Sequence, residues 1–208
     1  GLIRYLMSNR HGTPFEHATM TFFLHMPIFV FREFHRHRIG WSYNEESARY
    51  KQLAPVFYLP SAARPGMMQQ PGGKPGQYTY DNANDEQAGV IRALIVRNSQ
   101  TAYYTYQELL EQGVAKEVAR MVLPVNIFSS QYATCNPRSL MAFLSLRTKR
   151  DQFESFSEKG GPPHNQGALF PSKPQWEINR VADIMEEIFA DLMPITHKAF
   201  CDAGRVAP

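Results

Sequence analysis

Residues 84–112 read NDEQAGVIRALIVRNSQTAYYTYQELLEQ, and this stretch decides the fold class. Asn84 can accept a hydrogen bond at a helix start, and Gln87 three residues later completes a capping box. Ile91, Leu94, Ile95, Ala102, Tyr106 and Leu109 recur at helical spacing as an apolar stripe, and Gly113 supplies the stop. Downstream, Lys116 to Val122 stays helical up to Pro124, whereas Val125 to Cys135, with Ile127, Phe128, Tyr132 and Thr134, has strand character. Asn136-Pro137 then offers a cap and a first-turn proline for a helix to about Arg147. Gln175 to Phe200 reads as one final helix, with Ile178, Val181, Met185, Ile188, Phe189 and Leu192 at core spacing.

Upstream, Gly1 to His11 reads as a helix tail with Leu2, Ile3, Leu6 and Met7 on one face and Gly12 as its end. Thr13-Pro14-Phe15-Glu16 has capping-box chemistry, Ala18 to Met26 predicts a strand, and Pro27 opens a helix carrying Phe29, Val30, Phe31 and Phe34. Pro60 to Gly76, with four Pro and four Gly, and Gly160 to Pro174 predict long loops without regular elements. Long helices and short, separated strands predict an α+β fold.

Composition narrows the function classes. With 43% hydrophobic and 20% charged residues among 208, wholesale disorder is not expected. The most apolar run, Phe22 to Phe31, is interrupted by His25 and Pro27 and is too short to span a bilayer. Two cysteines, Cys135 and Cys201, are too few for a disulfide framework or a thiolate zinc site. No basic-then-apolar leader opens the chain, so the expectation is a cytoplasmic enzyme without membrane association. Its start at Gly1 is read as trimming or an incomplete amino end. A net charge of +3 is small for a protein that lives on nucleic-acid phosphates, so anion binding must come from a local cluster.

That cluster is His35-Arg36-His37-Arg38, followed by Ser42-Tyr43-Asn44-Glu45-Glu46-Ser47-Ala48-Arg49-Tyr50. Adjacent basic side chains repel one another, and a bound phosphate relieves that repulsion through paired hydrogen bonds to guanidinium. The plain alternative is a solvated surface segment with Glu45 and Arg49 as an i,i+4 pair. Aromatic and polar density favours a nucleotide site instead. Alternating His35 and His37, with His11, His17 and His25 upstream, raise a metal reading, but the intervening arginines repel a cation and no metal is expected. Ser47 lacks the glycine elbow of an activated nucleophile. Arg120 and Arg147 each sit beside apolar helical residues, where a lone Arg is ordinarily a surface cover. A single-stranded RNA-binding module, using the Arg/His cluster with Phe and Tyr as stacking partners, is the competing reading.

The stretch from Arg36-His37-Arg38 through Ser47-Ala48-Arg49-Tyr50 closely resembles the signature of flavin-dependent thymidylate synthases. The resemblance extends to His11-Gly12-Thr13-Pro14-Phe15-Glu16-His17, Glu117-Val118-Ala119-Arg120, Leu123-Pro124, Asn136-Pro137-Arg138-Ser139-Leu140-Met141, Leu144-Ser145-Leu146-Arg147 and Gln175-Trp176-Glu177-Ile178. It implies one domain over residues 1–208, with long helices packed on a small, mostly antiparallel sheet, loops at about 60–77 and an insertion at about 149–174. The family's amino-terminal strand and part of its first helix are missing from the sequence. It further implies reductive methylation of dUMP to dTMP, with methylenetetrahydrofolate as carbon donor and FAD reduced by NADPH as hydride source, in a homotetramer that does not bind nucleic acid.

Carried over by position, the resemblance assigns Thr13, Glu16, Arg36, His37, Arg38, Ile39, Glu45, Asn136, Arg138, Ala142 and Leu146 to FAD. It assigns Glu33, Arg36, Glu45, Ser47, Ala48, Arg49, Arg120 and Arg147 to dUMP, with Arg147 as the catalytic arginine that favours the ionised uracil. The signature segment and the two later arginines are implied to meet from neighbouring subunits. Three departures stand out. Glu33 and Ala142 occupy positions where the family often has Gln and Asn. Eight residues, Ile39 to Glu46, separate Arg38 from Ser47 where the family has seven, with Gly40 or Trp41 as the extra one. A family His soon after Arg147 is absent at its usual spacing, with His164 as a candidate substitute.

Overall fold

The computed structural model describes residues 1–75, 78–150 and 168–208. Its elements run α1 (Leu2–Ser8), β1 (Met20–Pro27), α2 (Ile28–Phe34), β2 (Trp41–Glu45), β3 (Met68–Gln69), β4 (Tyr80–Asp81), α3 (Asp85–Glu111), α4 (Lys116–Ala119), β5 (Phe128–Cys135), α5 (Pro137–Arg147), α6 (Trp176–Leu192) and α7 (Pro194–Asp202). A three-stranded sheet has the order β1-β5-β2, and β3 pairs with β4 antiparallel. This is the expected α+β class. Burial alternates along β1, with Met20, Phe22, Leu24 and Met26 inside, as a strand with one covered face requires.

The chain folds as two compact units built from interleaved segments. The first comprises Gly1–Leu24, Glu33–Asn44 and Tyr132–Pro208, and the second His25–Arg32 and Glu45–Gln131. In the first, an aromatic cluster fixes the basic segment: the fully buried Phe34 meets Phe143 at 4.6 Å and Trp41 at 5.3 Å, and Trp41 stacks on Tyr43. Burying each Phe side chain is worth roughly 1.5–3 kcal/mol. The Tyr43 hydroxyl donates to the carbonyls of His37 and Phe34, which ties down the turn between α2 and β2. In the second unit, α3 carries the expected capping box between Asn84 and Gln87, and Gly113 follows it with φ +78°.

Four expectations are corrected. The single helix over 175–200 is two helices, because Pro194 has no N–H and pushes Met193 out of helical geometry, to φ −135° and ψ 60°. Thr13–Glu16 is one 3-10 turn without a side-chain cap, since the Glu16 carboxylate goes to Arg138. The 60–76 stretch is not wholly irregular, because Met68–Gln69 forms the short ribbon. The α3 stripe is not uniformly inside: Leu94 is 50% exposed while Ala88 and Ser99 are buried, because Val90, Leu94, Val96 and Tyr104 spread apolar surface around the helix. The expected loop at 160–174 and His164 fall largely or wholly outside the described residues.

A charged cluster locks the last helices of the first unit. Arg205, whose side chain is 1% exposed, donates both Nη atoms to Glu186 at 2.6 Å and Nη2 to Thr148 at 2.8 Å. Arg150 and His197 also reach Glu186, at 3.1 and 2.9 Å. Burial pushes the Glu186 carboxyl up, but hydrogen bonds from His197 and Arg205 outweigh it and bring the value down to about 2. Hydrogen bonds to Cys201 and Glu186 carry His197 up to about 9, against burial. The signs give a pH window. The His197 contribution is full below its ordinary 6.5 and is lost as pH rises through 9; the Glu186 contribution is full above 4.5 and is lost as pH falls through 2. Urea unfolding followed against pH is therefore expected to show wild-type stability falling between pH 6.5 and 9, and His197→Gln removing that slope. An unchanged slope in the variant would contradict the assignment.

Candidate active site

Of the residues expected at a cofactor, Thr13, Glu16, Asn136, Arg138, Ala142 and Leu146 lie in the first unit at the N-terminal end and along one face of α5, whereas Glu45 belongs to the second unit. Asn136 accepts from the Ser139 amide at 2.8 Å, and Pro137 occupies the first turn, as the sequence required. Arg138 leaves this first turn and donates to Glu16, while a Cβ at Gly12 would stand 2.5 Å from its guanidinium carbon. Thr13 and Glu16 are thereby placed beside Arg138. From the other side comes the turn that follows Arg36, His37, Arg38 and Ile39. Gly40 has φ +69°, and a Cβ there would lie 2.1 Å from Ser139 Oγ. Arg138, Ala142 and Leu146 repeat at i, i+4 and i+8 along α5, and Ala142 and Leu146 are exposed. Ile39, 91% exposed, and Leu146 add apolar surface. A helix N-terminus with guanidinium groups suits a diphosphate, and exposed apolar side chains suit a flat ring, so this donor set fits a flavin dinucleotide.

Arg147 ends α5 and is held on two sides. Its Nη1 donates to Glu33 at 2.9 Å and its Nε to His37 Nε2 at 3.0 Å. His37 must therefore be neutral, with its proton on Nδ1. Burial, then the Arg147 charge, lowers His37 to about 4, and its ring sits edge-on to Phe143 at 4.8 Å. Burial raises the Glu33 carboxyl, Arg147 opposes that shift, and Glu177 adds to it.

The second unit contains a cavity of about 460 Å³ whose lining includes Arg32, Glu45, Ser47, Ala48, Glu117 and Arg120. Glu45 ends β2. Ser47 Oγ accepts from the Arg49 amide at 3.3 Å and so shapes the turn, while Ala48 is buried with Leu53 and Ile127. Arg49 pairs with Glu117 at 3.1 Å rather than with Glu45, because residues 48–50 form a turn and no helix spans 45–49. Arg120, which the resemblance assigns to a neighbour's site, lines the same cavity as Glu45, Ser47 and Ala48 of its own chain. Arg32 was not singled out in the sequence; its only signal is a basic residue preceding Glu33 within the apolar helix α2. Among the described residues, Glu186, His197 and Cys201 bring ligand-type atoms within 4.8 Å, but Arg205 occupies both Glu186 oxygens, which disfavours a cation.

The family model described as thymidylate synthase complementing protein matches residues 1–195. The chain belongs to the flavin-dependent thymidylate synthase family. A flavin-dependent thymidylate synthase of Streptomyces coelicolor is 52% identical over 208 residues, all of this chain and 77% of the relative. That of Tropheryma whipplei is 50% identical, over all of this chain and 79% of the relative. The crystal structure of a UMP/dUMP methylase, PolB from Streptomyces cacaoi, bound with 5-Br UMP superposes with a TM-score of 0.87 at 47% identity, covering 100% of this chain and 84% of that one. As a member of the flavin-dependent thymidylate synthase family the chain is an enzyme, so the RNA-binding module is set aside. Among the described residues, no helix is long and apolar enough to cross a membrane.

Gly40, one of the two candidates for the additional residue of the signature, lies in a turn whose positive φ favours glycine. Gly40→Ala places a side chain at positive φ and against Ser139, at a cost of about 1–3 kcal/mol from backbone strain alone. Denaturant unfolding is expected to show that loss. A midpoint equal to wild type would mean that the turn relaxes freely and does not fix the spacing of Ile39 and Trp41.

Proposed function

We propose that this enzyme methylates C5 of dUMP to give dTMP, taking the carbon from methylenetetrahydrofolate and the reducing equivalents from NADPH through bound FAD. The observation that carries the reading is Arg147, a half-buried guanidinium held by a neutral imidazole, whose charge therefore is not repelled by a second cation. Relatives named flavin-dependent thymidylate synthase and a methylase crystallised with bromo-UMP and bromo-dUMP support the substrate class.

In this reading Arg32 and Arg120 attract the nucleotide phosphate into the cavity of the second unit, where Ser47 and the backbone near Ala48 supply neutral donors. Ser47 binds and does not attack. Arg36 and Arg49 are further nucleotide-binding residues in this reading. Thr13, Glu16, Arg36, His37, Arg38, Ile39, Asn136, Arg138, Ala142 and Leu146 of the first unit hold the flavin, with the α5 N-terminus favouring its diphosphate. The flavin, when bound, supplies hydride chemistry that no amino-acid side chain offers. The protein's own contribution is electrostatic: Arg147 favours negative charge on the pyrimidine, which raises electron density at C5 where the new bond forms.

We further propose a homotetramer in which Arg147 serves the nucleotide of a neighbouring subunit. The apolar residues that α3 leaves exposed, among them Val90, Leu94 and Tyr104, are the kind of surface that an assembly covers. The test combines activity with complementation. Arg147→Ala is expected to lower thymidylate formation about a hundredfold, equivalent to about 3 kcal/mol, while flavin absorption persists. Mixing it with Arg36→Ala subunits under conditions of confirmed exchange is expected to restore part of the activity. Near-wild-type turnover by Arg147→Ala would overturn the role of that arginine, and no recovery on exchange would overturn the shared site.

A further inference from the structure

We propose that Glu33 is a positioning residue: together with His37 it clamps the Arg147 guanidinium through Nη1 and Nε, so that Nη2 is presented to the pyrimidine of the nucleotide. The proposal rests on the function proposed above and assigns Glu33 a task different from touching substrate.

The geometry is specific. A guanidinium has five N–H groups in one plane, so two bonds on adjacent nitrogens fix that plane. Arg147 makes these two bonds within its own unit, to Glu33 Oε2 at 2.9 Å and His37 Nε2 at 3.0 Å, and among the described residues no hydrogen bond engages its Nη2. Both partners are themselves anchored. His37 lies against the buried Phe143, and its carbonyl accepts from Tyr43; Glu33 belongs to α2, immediately before the buried Phe34. Side-chain exposures of 20% for Arg147 and 30% for Glu33 leave the pair partly accessible. An Arg without such a clamp samples many rotamers, and misplacement by about 1 Å can cost about a hundredfold in rate.

The carboxylate also has an electrostatic consequence. Glu33 stabilises the Arg147 cation, yet a second negative charge beside it opposes the anionic pyrimidine that Arg147 is proposed to favour. Glu177, buried at the start of α6, adds negative field, and burial pushes the Glu33 carboxyl up while Arg147 opposes that shift. A glutamine would keep the acceptor oxygen and lose the opposing charge. Position and charge are thus separable by substitution.

The experiment compares Glu33→Ala and Glu33→Gln in flavin-loaded enzyme, with three readouts. The first, without nucleotide, is the ¹⁵N resonance of the Arg147 Nη1–H group that donates to Glu33, expected to be protected from exchange in wild type and Glu33→Gln and lost in Glu33→Ala. The second is steady-state thymidylate formation, where Glu33→Ala is expected to lower kcat at least about tenfold with a smaller change in KM, and Glu33→Gln to recover most of that loss. The third is the ionisation of bound 5-fluoro-dUMP read by ultraviolet absorbance, whose apparent pKa is expected to fall in Glu33→Gln. Protection that survives in Glu33→Ala would overturn the clamp. A raised KM in both variants, with the ligand's ionisation unmoved, would overturn it in favour of direct substrate contact. If the clamp signal behaves as expected but wild type makes no thymidylate, the functional reading fails and Glu33 is left as a structural partner only.

Discussion

A guanidinium held between one carboxylate and one neutral imidazole is the constraint on which the first unit turns. Glu33 pairs with the Arg147 guanidinium at 2.9 Å, and His37 fixes its direction by offering a lone pair rather than a proton at 3.0 Å. A protonated His37 would repel the Arg147 cation and could not accept its hydrogen bond. Burial and the Arg147 charge both act in the direction that keeps the imidazole neutral. The arrangement is therefore self-consistent: the arginine helps to maintain the protonation state of the group that orients it.

Much of the surrounding fold serves to bring these three side chains together. Asn136 and Pro137 start α5 at a fixed residue, so Arg147 arrives three helical turns later in a defined direction. Phe34, Trp41, Tyr43 and Phe143 fix the segment that carries His37. Beyond the end of α5, Thr148 caps its own chain by donating to the Leu144 carbonyl and accepts from buried Arg205, which ties the helix to the Glu186 cluster. The price of that cluster is desolvation of several charges, met by dense pairing rather than by an apolar core.

Local chemistry was legible in the sequence at two helix starts, though not at Thr13–Glu16, where the motif's carboxylate pairs with Arg138 instead. The capping box at Asn84 and the Asn136-Pro137 helix start follow from hydrogen-bonding groups at fixed spacing, and both are present. The i, i+4, i+8 row of Arg138, Ala142 and Leu146 follows from the same helix. What could not be read is pairing across long separations. Nothing near Glu16 announces Arg138, nothing near Glu33 announces Arg147, and Glu186 gives no hint of Arg205. Arg32 escaped notice for a related reason, since a single cation in an apolar helix looks like a surface residue until the cavity beside it is known. Leu94 erred the other way: its helical spacing matched a core stripe, but α3 is apolar on more than one face and exposes it.

A ¹⁵N NMR titration of the imidazole in the purified flavin-loaded protein shows whether His37 is a neutral acceptor for Arg147. One tautomer is expected, with Nδ1 protonated and Nε2 bare, persisting as pH is lowered until close to 4. An imidazole that titrates near its ordinary 6.5, or that carries its proton on Nε2 in the neutral range, would contradict the arrangement on which the proposed chemistry rests.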